Sequence, residues 1–251
     1  MNKGILVIGN ESALFSAVCA QAAKRVEQYA VAIIPGPSGL GIASNSSASG
    51  SITDDDEELM ENDNQSGQKH QQTAEKGKNI LQWNPGSPLS ARTLLIAAEN
   101  RLGQIDEAIL VCSPLAVFRS AGELSPAEIE KHINEQIKSW LFIIRELSLV
   151  FKAQNDGTIA LVAPESGSEK IIKGKDAPVD LLGLAASASF NALTQGLIAS
   201  REEGSVRIMG FSGSNAGSEG DIAAWIFKIL DEGNPKNNGR WHKYSRLPFF
   251  R

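Results

Sequence analysis

The stretch Gly4-Ile5-Leu6-Val7-Ile8-Gly9-Asn10-Glu11-Ser12-Ala13-Leu14-Phe15 lies near the start of the chain and decides its fold. Residues 4–8 form a short apolar run, which is typical of a strand buried on both faces. The run stops at Gly9, and a helical pattern follows, with apolar residues on one face at Leu14, Val18, Ala22 and Val26. A buried strand that turns through glycine into a helix predicts the first unit of a parallel, helix-covered sheet.

The same alternation continues along the chain. Further strands are predicted at residues 30–34, 80–83, 108–112, 158–162, 205–209 and 239–244, and helices at about 87–102, 125–152, 179–200 and 221–230. Strands that alternate with helices predict right-handed βαβ units. We therefore expect an α/β fold: one doubly wound, Rossmann-like domain over residues 1–251, with a parallel sheet covered on both faces.

The long helix near the middle of the chain has the clearest start signal. Ser125-Pro126-Ala127-Glu128 combines a capping serine, a proline suited to the first turn and a glutamate that completes a capping box. The helix is predicted to run to about Lys152. Because Trp140 and Phe142 point about 160° apart around it, both faces of the helix are expected to be covered. Its apolar residues are Ile129, Ile133, Ile137, Trp140, Leu141, Ile144 and Leu147.

The net charge of the chain lies in one segment. Residues 36–79 contain eight acidic side chains and three lysines, which accounts for the whole formal charge of −5. This segment is rich in Ser, Gly, Asn and Gln and has no aromatic residue. Such a composition cannot bury enough apolar area to offset its ordering entropy, so a flexible acidic insertion within the domain is predicted.

Composition also argues against several classes of partner. The longest apolar stretches are far shorter than the roughly twenty residues that span a bilayer, so no membrane segment is expected. A net charge of −5 argues against a nucleic-acid partner. The two cysteines have no metal-ligand spacing and the three histidines lie far apart, which predicts no metal site and a cytoplasmic location.

A ligand of such a sheet is expected at the carboxyl ends of the strands, where the strand order reverses. The first strand-to-helix turn normally meets a pyrophosphate there, because the helix amides and dipole favour an anion. Gly9 suits that turn, but the Gly-x-Gly-x-x-Gly pattern is absent and Phe15 is bulky. Glu11 either repels a phosphate or stabilises the helix start without any ligand, and the sequence leaves both open.

Over nearly its full length the chain resembles a short-chain dehydrogenase/reductase. Residues 8–15 stand at the family's Thr-Gly-x-x-x-Gly-Ile-Gly, residues 84–87 at its Asp-Val-x-Asp, and Gly103-Gln104-Ile105-Asp106 is similar to its Gly-x-Ile-Asp. Residues 112–114 replace its Asn-Asn-Ala, and the helix from Asp221 is also similar. The resemblance implies NAD or NADP binding by Gly9, Asn10, Ser12, Leu14, Asn84 and Ser113. Pro35-Gly36, which follows the second strand, does not decide between the two cofactors.

The family's catalytic residues are missing, so no catalytic residue is predicted. The resemblance puts Gly183 at the position of the family's tyrosine, Ser187 at its lysine, Ala163 or Pro164 at its serine and Gln136 at its helix-four asparagine. Only Tyr29 and Tyr244 occur in the chain, and neither is on the helix at 179–200. Without a phenol and an ammonium group this helix offers no proton route.

Three functions remain open at this point. The first is a catalytically silent protein that binds a dinucleotide or another protein. The second is an NAD(P)-dependent oxidoreductase that acts on a carbonyl or hydroxyl with substitute residues, for which Tyr244 and the lysines at 170, 173 and 175 are candidates. The third is a structural subunit of an oligomer. For the oligomer, the resemblance implies a homodimer or homotetramer through the helices at 126–152 and 179–200.

Overall fold

The computed structural model describes residues 3–34, 78–114, 116–163, 179–200, 206–213 and 217–244. Seven strands form one parallel sheet in the order β3-β2-β1-β4-β5-β6-β7. They are β1 (Ile5–Asn10), β2 (Tyr29–Ile34), β3 (Lys78–Leu81), β4 (Glu107–Val111), β5 (Gly157–Ala163), β6 (Val206–Gly213) and β7 (Arg240–Tyr244). The strand order reverses between β1 and β4, so the switch point lies there, as expected for a doubly wound fold.

Six α-helices cover the sheet. They are α1 (Ala13–Arg25), α2 (Pro88–Leu102), α3 (Pro126–Ile133), α4 (Ser139–Gln154), α5 (Leu181–Ser200) and α6 (Glu219–Glu232). The predicted helix signals are confirmed: Ser125 and Glu128 form a capping box at the start of α3, and Gly103 ends α2 with φ 80°. Two core clusters result, one under α2, α4 and α5 (the α4 face) and one under α1 and α6 (the α1 face).

One crossover has the opposite hand to the prediction. Both α1 and α6 lie on the α1 face, yet β1 to β2 and β6 to β7 step across the sheet in opposite directions. Two such crossovers cannot share one hand, so the β6-α6-β7 unit is left-handed, against the strong right-handed preference. The position of α6 accounts for this hand. Because α6 lies beside α1, its residues Ile226 and Phe227 join the core cluster on the α1 side of the central strands, which includes Val162.

The predicted bounds of the acidic insertion are wrong at one end. Lys78 and Asn79 belong to β3, where they pair with Tyr29 and Ala30 of β2. Residues 36–77, which carry the remainder of that prediction, lie outside the described residues. The third strand also ends earlier than expected, and Trp83 lies beyond it and donates from its indole nitrogen to the Ile33 carbonyl (3.1 Å).

The predicted helix from 126 to 152 is interrupted, and its buried residues include polar as well as apolar ones. A π-helical turn at residues 134–138 separates α3 from α4. Ile133 and Leu141 are exposed, whereas four polar residues of the same helical stretch are buried, namely His132, Gln136, Ser139 and Glu146. Each of the four has a hydrogen-bond partner, as buried polar groups require.

The amino edge of the sheet is held by a buried ion pair. The carboxylate of Glu107, at the start of β4, is 1% exposed and contacts Arg25 (2.6 Å) and Lys3 (3.0 Å). Arg25 also pairs with Asp231 and lies over the ring of Phe227. Burial raises the pKa of Glu107, but the hydrogen bonds and charges of Arg25 and Lys3 outweigh it, so the pKa lies below its ordinary value. This cluster ties α1 and α6 to the sheet.

Among the described residues, α5 is the one helix long and apolar enough to meet the length and composition of a membrane span. It packs on the sheet through Ala186, Phe190 and Thr194, which are buried. Only 22% of its apolar window is buried within the chain, and one side of α5, with Leu181, Ala185 and Ala188, is exposed.

Candidate functional site

The switch point between β1 and β4 is bridged by buried side-chain amides. Asn10, the last residue of β1, is 1% exposed, and its Oδ1 accepts from the backbone N–H of Ser113 (3.2 Å). Its Nδ2 donates to Oε1 of Gln136 (2.8 Å), which is also 1% exposed and projects from the π-helical turn. The ends of β1 and β4 and the α3–α4 stretch are thus joined at the base of the crevice.

On the opposite side of β1, a phenylalanine packs beneath the first turn. Successive strand residues alternate in direction, so Gly9 faces α1 where Asn10 faces α4. A Cβ on Gly9 would lie 2.6 Å from the Val111 carbonyl oxygen and 2.7 Å from the ring of Phe15, which is 4% exposed. Gly9 is therefore required for packing, and the bulky Phe15 is accommodated below the turn rather than in the open crevice.

The turn itself remains open to solvent. Glu11 and Ala13 are exposed, and Ser12 and Leu14 are half-buried. The hydroxyl of Ser12 caps α1 by accepting from the N–H of Phe15 (3.1 Å). The start of a 13-residue helix, with its positive dipole end, therefore faces the carboxyl edge of the sheet.

The predicted adenine-contacting residue lies further along the same edge. Asn84 follows β3, two strands from β1, or about 10 Å at the usual strand spacing. It is exposed, and its Oδ1 accepts from the N–H of Gly86 (3.1 Å) in the turn that leads to α2. Of the six candidate cofactor residues, Gly9, Asn10 and Ser113 meet at the switch point, Ser12 and Leu14 lie on the first turn, and Asn84 stands apart.

A carboxylate occupies the space beside Gly183 on α5. Oδ1 of Asp180 accepts from the N–H of Gly183 (2.8 Å) and from the N–H of Val117 (3.0 Å), which lies in the loop after β4. A Cβ on Gly183 would overlap the other oxygen of Asp180. This carboxylate thus caps α5, joins it to the β4–α3 loop and fills the position of any side chain at 183.

A buried histidine makes a second link to the start of α5. His132 of α3 is 6% exposed, and its Nε2 donates to the Leu182 carbonyl (2.9 Å). Burial lowers the pKa of His132, against the opposing effects of the Leu182 hydrogen bond and the charge of Asp180. The imidazole is therefore held in its neutral form between two helices.

The other polar groups near this edge offer little acid or base. Ser187 is half-buried on α5, and Ala163 ends β5. Cys112 follows β4 and is fully buried, and burial raises the pKa of its thiol, so it is no thiolate nucleophile. Between residues 179 and 200 and along β5, the structure describes no phenol and no ammonium group. Pro164 and the lysines at 170, 173 and 175 lie outside the described residues.

Tyr244, the other candidate phenol, is on the wrong face of the sheet. It ends β7, three strands from β4, and its ring packs against Trp225 (5.4 Å between centroids) and Gly217. These contacts place the ring on the α1 face, opposite α5. Within one chain it does not approach Gly183.

From the sequence, Gln136 and Gly183 are recognised only as replacements, and the residues that surround them are not recognised. Asp180, Val117 and His132 were not singled out. For Asp180 a signal existed, since an aspartate three residues before Gly183 is typical of an N-cap. For Val117 and His132 there was none, because their partners lie 63 and 50 residues away.

Two open depressions on the described surface lie at the amino edge instead. One lies between the C-terminal ends of α1 and α6, and the other between α5 and the start of β7. The described residues also contain no group of three or more metal-ligating side chains. Neither depression lies at the carboxyl edge, which remains the candidate site because the strand order of the sheet reverses there.

Comparison with known proteins gives a likeness of fold. No protein-family model matches the sequence, and no curated protein does. A short-chain type dehydrogenase/reductase from Mycobacterium marinum superposes with TM-score 0.68 at 14% identity, covering 96% of this chain and 92% of that one. A short chain dehydrogenase from Mycobacterium smegmatis gives 0.67 at 13% identity, covering 98% and 93%.

A third solved structure was determined with a dinucleotide. It is an NADH-dependent reductase complexed with NAD, with TM-score 0.64 and 13% identity, covering 97% of this chain and 95% of that one. Together with the seven-stranded parallel sheet, these superpositions confirm the Rossmann-like α/β class. The chain has the fold of the short-chain dehydrogenases/reductases over nearly its whole length.

Proposed function

We propose that this chain is a catalytically silent protein of the short-chain dehydrogenase/reductase fold. The observation that carries the proposal is the carboxylate of Asp180, which fills the space beside Gly183 where the resemblance places a catalytic tyrosine. A residue without a side chain cannot hold or move a proton, and its neighbour is committed to two backbone N–H groups.

The other positions of the expected proton route support the same proposal. Ser187 cannot supply the charge of a lysine, and Ala163 has no hydroxyl to orient a substrate. Gln136, at the position of the family's asparagine, is engaged with Asn10 inside the protein. The positions of the expected proton route, at 183, 187 and 163, therefore lack the groups that protonate a carbonyl, and the Gln136 amide is already bonded to Asn10.

The alternative, an oxidoreductase with substitute residues, depends on Tyr244 or on a lysine outside the described residues. The Tyr244 ring packs on the α1 face, which weighs against it. The assay is reduction of a panel of ketones and aldehydes by NADH and by NADPH, followed by loss of nicotinamide absorbance. We expect no turnover. Any turnover would overturn the proposal of catalytic silence. Turnover that disappears in Tyr244→Phe would identify Tyr244 as the substitute residue, and turnover that persists in this variant would point to another residue.

We also propose that the carboxyl edge binds NAD or NADP without reducing a substrate. The open turn at Ser12 and the exposed Asn84 are available to a ligand, and the nicotinamide of such a cofactor would supply a hydride when bound. Gly9, Asn10 and Ser113 would shape the floor, since Asn10 and Ser113 are already bonded to each other. Leu14 would border the turn.

Binding is tested by titrating each dinucleotide and following tryptophan fluorescence and melting temperature. Saturable stabilisation that weakens in Ser12→Ala and in Asn84→Ala, but not in Thr93→Ala on the exposed side of α2, supports the site. No response to either dinucleotide rejects binding and leaves a protein-binding or structural role for the silent fold. Glu11→Gln is informative as well, because removing that charge should strengthen binding of the pyrophosphate.

A homodimer or homotetramer through the helices at 126–152 and 179–200 is the assembly we propose. The outward face of α5 is apolar and rich in small residues, with Leu181 42% exposed. Such a surface favours close packing against a second helix. Sedimentation of the wild type against Ala188→Glu on α5 is the test, and a monomer at all concentrations would reject it. Cys19 and Cys112 are both buried and are not joined in a disulfide, which supports a cytoplasmic location.

A further inference from the structure

The switch point divides the carboxyl edge of the sheet into two halves. Strands β1, β2 and β3 lie on one side of it, and β4, β5 and β6 on the other. In a doubly wound sheet a dinucleotide crosses this point, with its adenosine over the first half and its second nucleotide over the other. We call these the β1–β3 half and the β4–β6 half. Their side chains offer a ligand different chemistry.

The β1–β3 half presents an indole. The last residues paired between β2 and β3 are Ala32 and Leu81, and the indole nitrogen of Trp83 donates to the next carbonyl of β2, that of Ile33 (3.1 Å). Trp83 packs against the core of the α4 face but is only half-buried. The ring is thus held at the carboxyl end of β2 with part of its surface accessible. An aromatic ring in this position is a surface on which a base can stack.

An amide suited to the edge of a base follows directly. Asn84 is exposed, its Oδ1 accepts from the N–H of Gly86 (3.1 Å), and nothing among the described residues bonds its Nδ2. A carboxamide oxygen has a second lone pair, so this side chain can donate and accept at once. Asparagine pairs in this way with N7 and the N6 amino group of adenine.

The β4–β6 half uses its polar groups for internal bonds. The N–H of Val117, in the loop after β4, donates to Oδ1 of Asp180, just before the helix that follows β5 (3.0 Å). The other oxygen of Asp180 fills the space beside Gly183. At the floor, Nδ2 of Asn10 donates to Gln136. These groups are committed within the protein, and the carboxylate occupies room that a second nucleotide would need.

We propose that this protein binds nucleotides through their adenosine diphosphate half alone. The base stacks on Trp83, Asn84 reads its edge, and the nicotinamide half of NAD adds no affinity. The inference rests on the nucleotide binding proposed above and names the part of the ligand that is recognised. ADP is therefore as good a ligand as NAD.

The first experiment compares three probes by calorimetric titration of the full chain: ADP, NAD and nicotinamide mononucleotide. ADP should bind within about threefold of NAD, because a nicotinamide that makes no contact adds no binding free energy. Nicotinamide mononucleotide should neither bind nor displace ADP. The readout is affinity and needs no turnover.

Two aromatic residues, one on each half, provide matched variants. Trp83→Leu should weaken ADP and NAD alike by at least about fivefold, the lower end of the loss expected for one stacked base. Trp83→Phe keeps a ring and should restore most of that loss, which separates stacking from any effect on folding. Phe118, in the loop after β4, is 65% exposed, and Phe118→Leu should leave both ligands within about twofold of the wild type.

Each way in which the inference can fail has its own signature. NAD that binds at least about tenfold more tightly than ADP would overturn it while leaving dinucleotide binding in place. So would Phe118→Leu weakening NAD as much as Trp83→Leu does. Equal affinities that Trp83→Leu leaves unchanged would overturn the role of the indole. If neither nucleotide binds, the proposed binding fails together with this inference, whereas catalytic silence is tested separately by the carbonyl assay.

The second experiment locates the ligand by amide hydrogen exchange. ADP and NAD should both slow exchange at residues 82–90 and at the first turn, 10–16. Neither should change exchange at 116–124 or at 179–184, which carry the two ends of the Val117–Asp180 bond. Protection of 116–124 by NAD but not by ADP would contradict the proposal, because it would place the second nucleotide over the β4–β6 half.

Discussion

Replacing Asn10 with alanine is the sharpest test of the switch-point geometry. The change removes the bond to the Ser113 N–H and the bond to Gln136, both in a site that is about 1% exposed. Two lost bonds are worth about 1–3 kcal/mol, and an N–H left without a partner adds about 1–3 kcal/mol. We therefore expect Asn10→Ala to lower the free energy of unfolding by about 2–6 kcal/mol.

The pair also predicts a specific coupling. Gln136→Ala removes one bond and leaves the Nδ2 of Asn10 without that partner, which should cost about 1–3 kcal/mol. In the double variant the shared bond is lost only once, so the two costs should fall short of additivity by about 0.5–1.5 kcal/mol. Urea unfolding followed by circular dichroism gives all three values.

The control is another asparagine at the same edge of the sheet. Asn84 is exposed, and Asn84→Ala should change stability by about 0.5 kcal/mol or less. If Asn10→Ala costs no more than Asn84→Ala, or if the Asn10 and Gln136 costs are additive, the buried bridge does not contribute as described. The crevice floor would then be free to bind a ligand directly.

Three further outcomes are expected. Glu107→Gln, which breaks the buried pair with Arg25, should destabilise the protein by about 3–5 kcal/mol. Because the pKa of Glu107 is lowered, its contribution is present above pH 4.5 and is lost as the pH falls through the lower folded value, so acid unfolding curves of the wild type and the variant should converge there. The lowered pKa of His132 has a similar effect. Stability should decline as the pH falls below 6.5, because the unfolded chain takes up a proton there before the folded chain does. His132→Gln should flatten this part of the dependence of stability on pH, and an unchanged slope would contradict the assignment. Gly183→Ala should displace Asp180 and cost about 1–3 kcal/mol in urea unfolding, and a neutral result would mean that the cap is not formed.

Much of the fold could be predicted because its signals are local. The first strand and turn were recognised from an apolar run that ends at Gly9, and α2 and α3 from their capping residues, Ser87 and Ser125. These depend on residues within one helical turn of each other. The parallel, doubly wound sheet followed from the alternation of elements, whereas the order of its strands and the left-handed β6-α6-β7 crossover were not predicted.

The buried side of the α3–α4 stretch could not be predicted by counting apolar residues. His132 and Gln136 are buried because the Leu182 carbonyl and Asn10 offer them partners, and those partners lie 50 and 126 residues away in the chain. Apolar residues such as Leu141 took the outward positions instead. A residue's chemistry alone does not reveal such distant partners.

The bonding at the candidate site could not be predicted. Gly9 and Asn10 were expected in the turn after the first strand, whereas they are the last two residues of β1, and the sequence carries no sign that the Asn10 amide faces inward. The direction follows from strand alternation once the register is known. The role of Asp180 likewise needed the position of the β4–α3 loop.

The Asp180 carboxylate also constrains how this protein can change over generations. A tyrosine at 183 would overlap Oδ2 of Asp180, whose Oδ1 accepts from two backbone N–H groups, so this substitution costs stability before it can restore any chemistry. A change at position 180 that removes the carboxylate would make room for the ring. The two positions are therefore expected to change together, with 180 no later than 183.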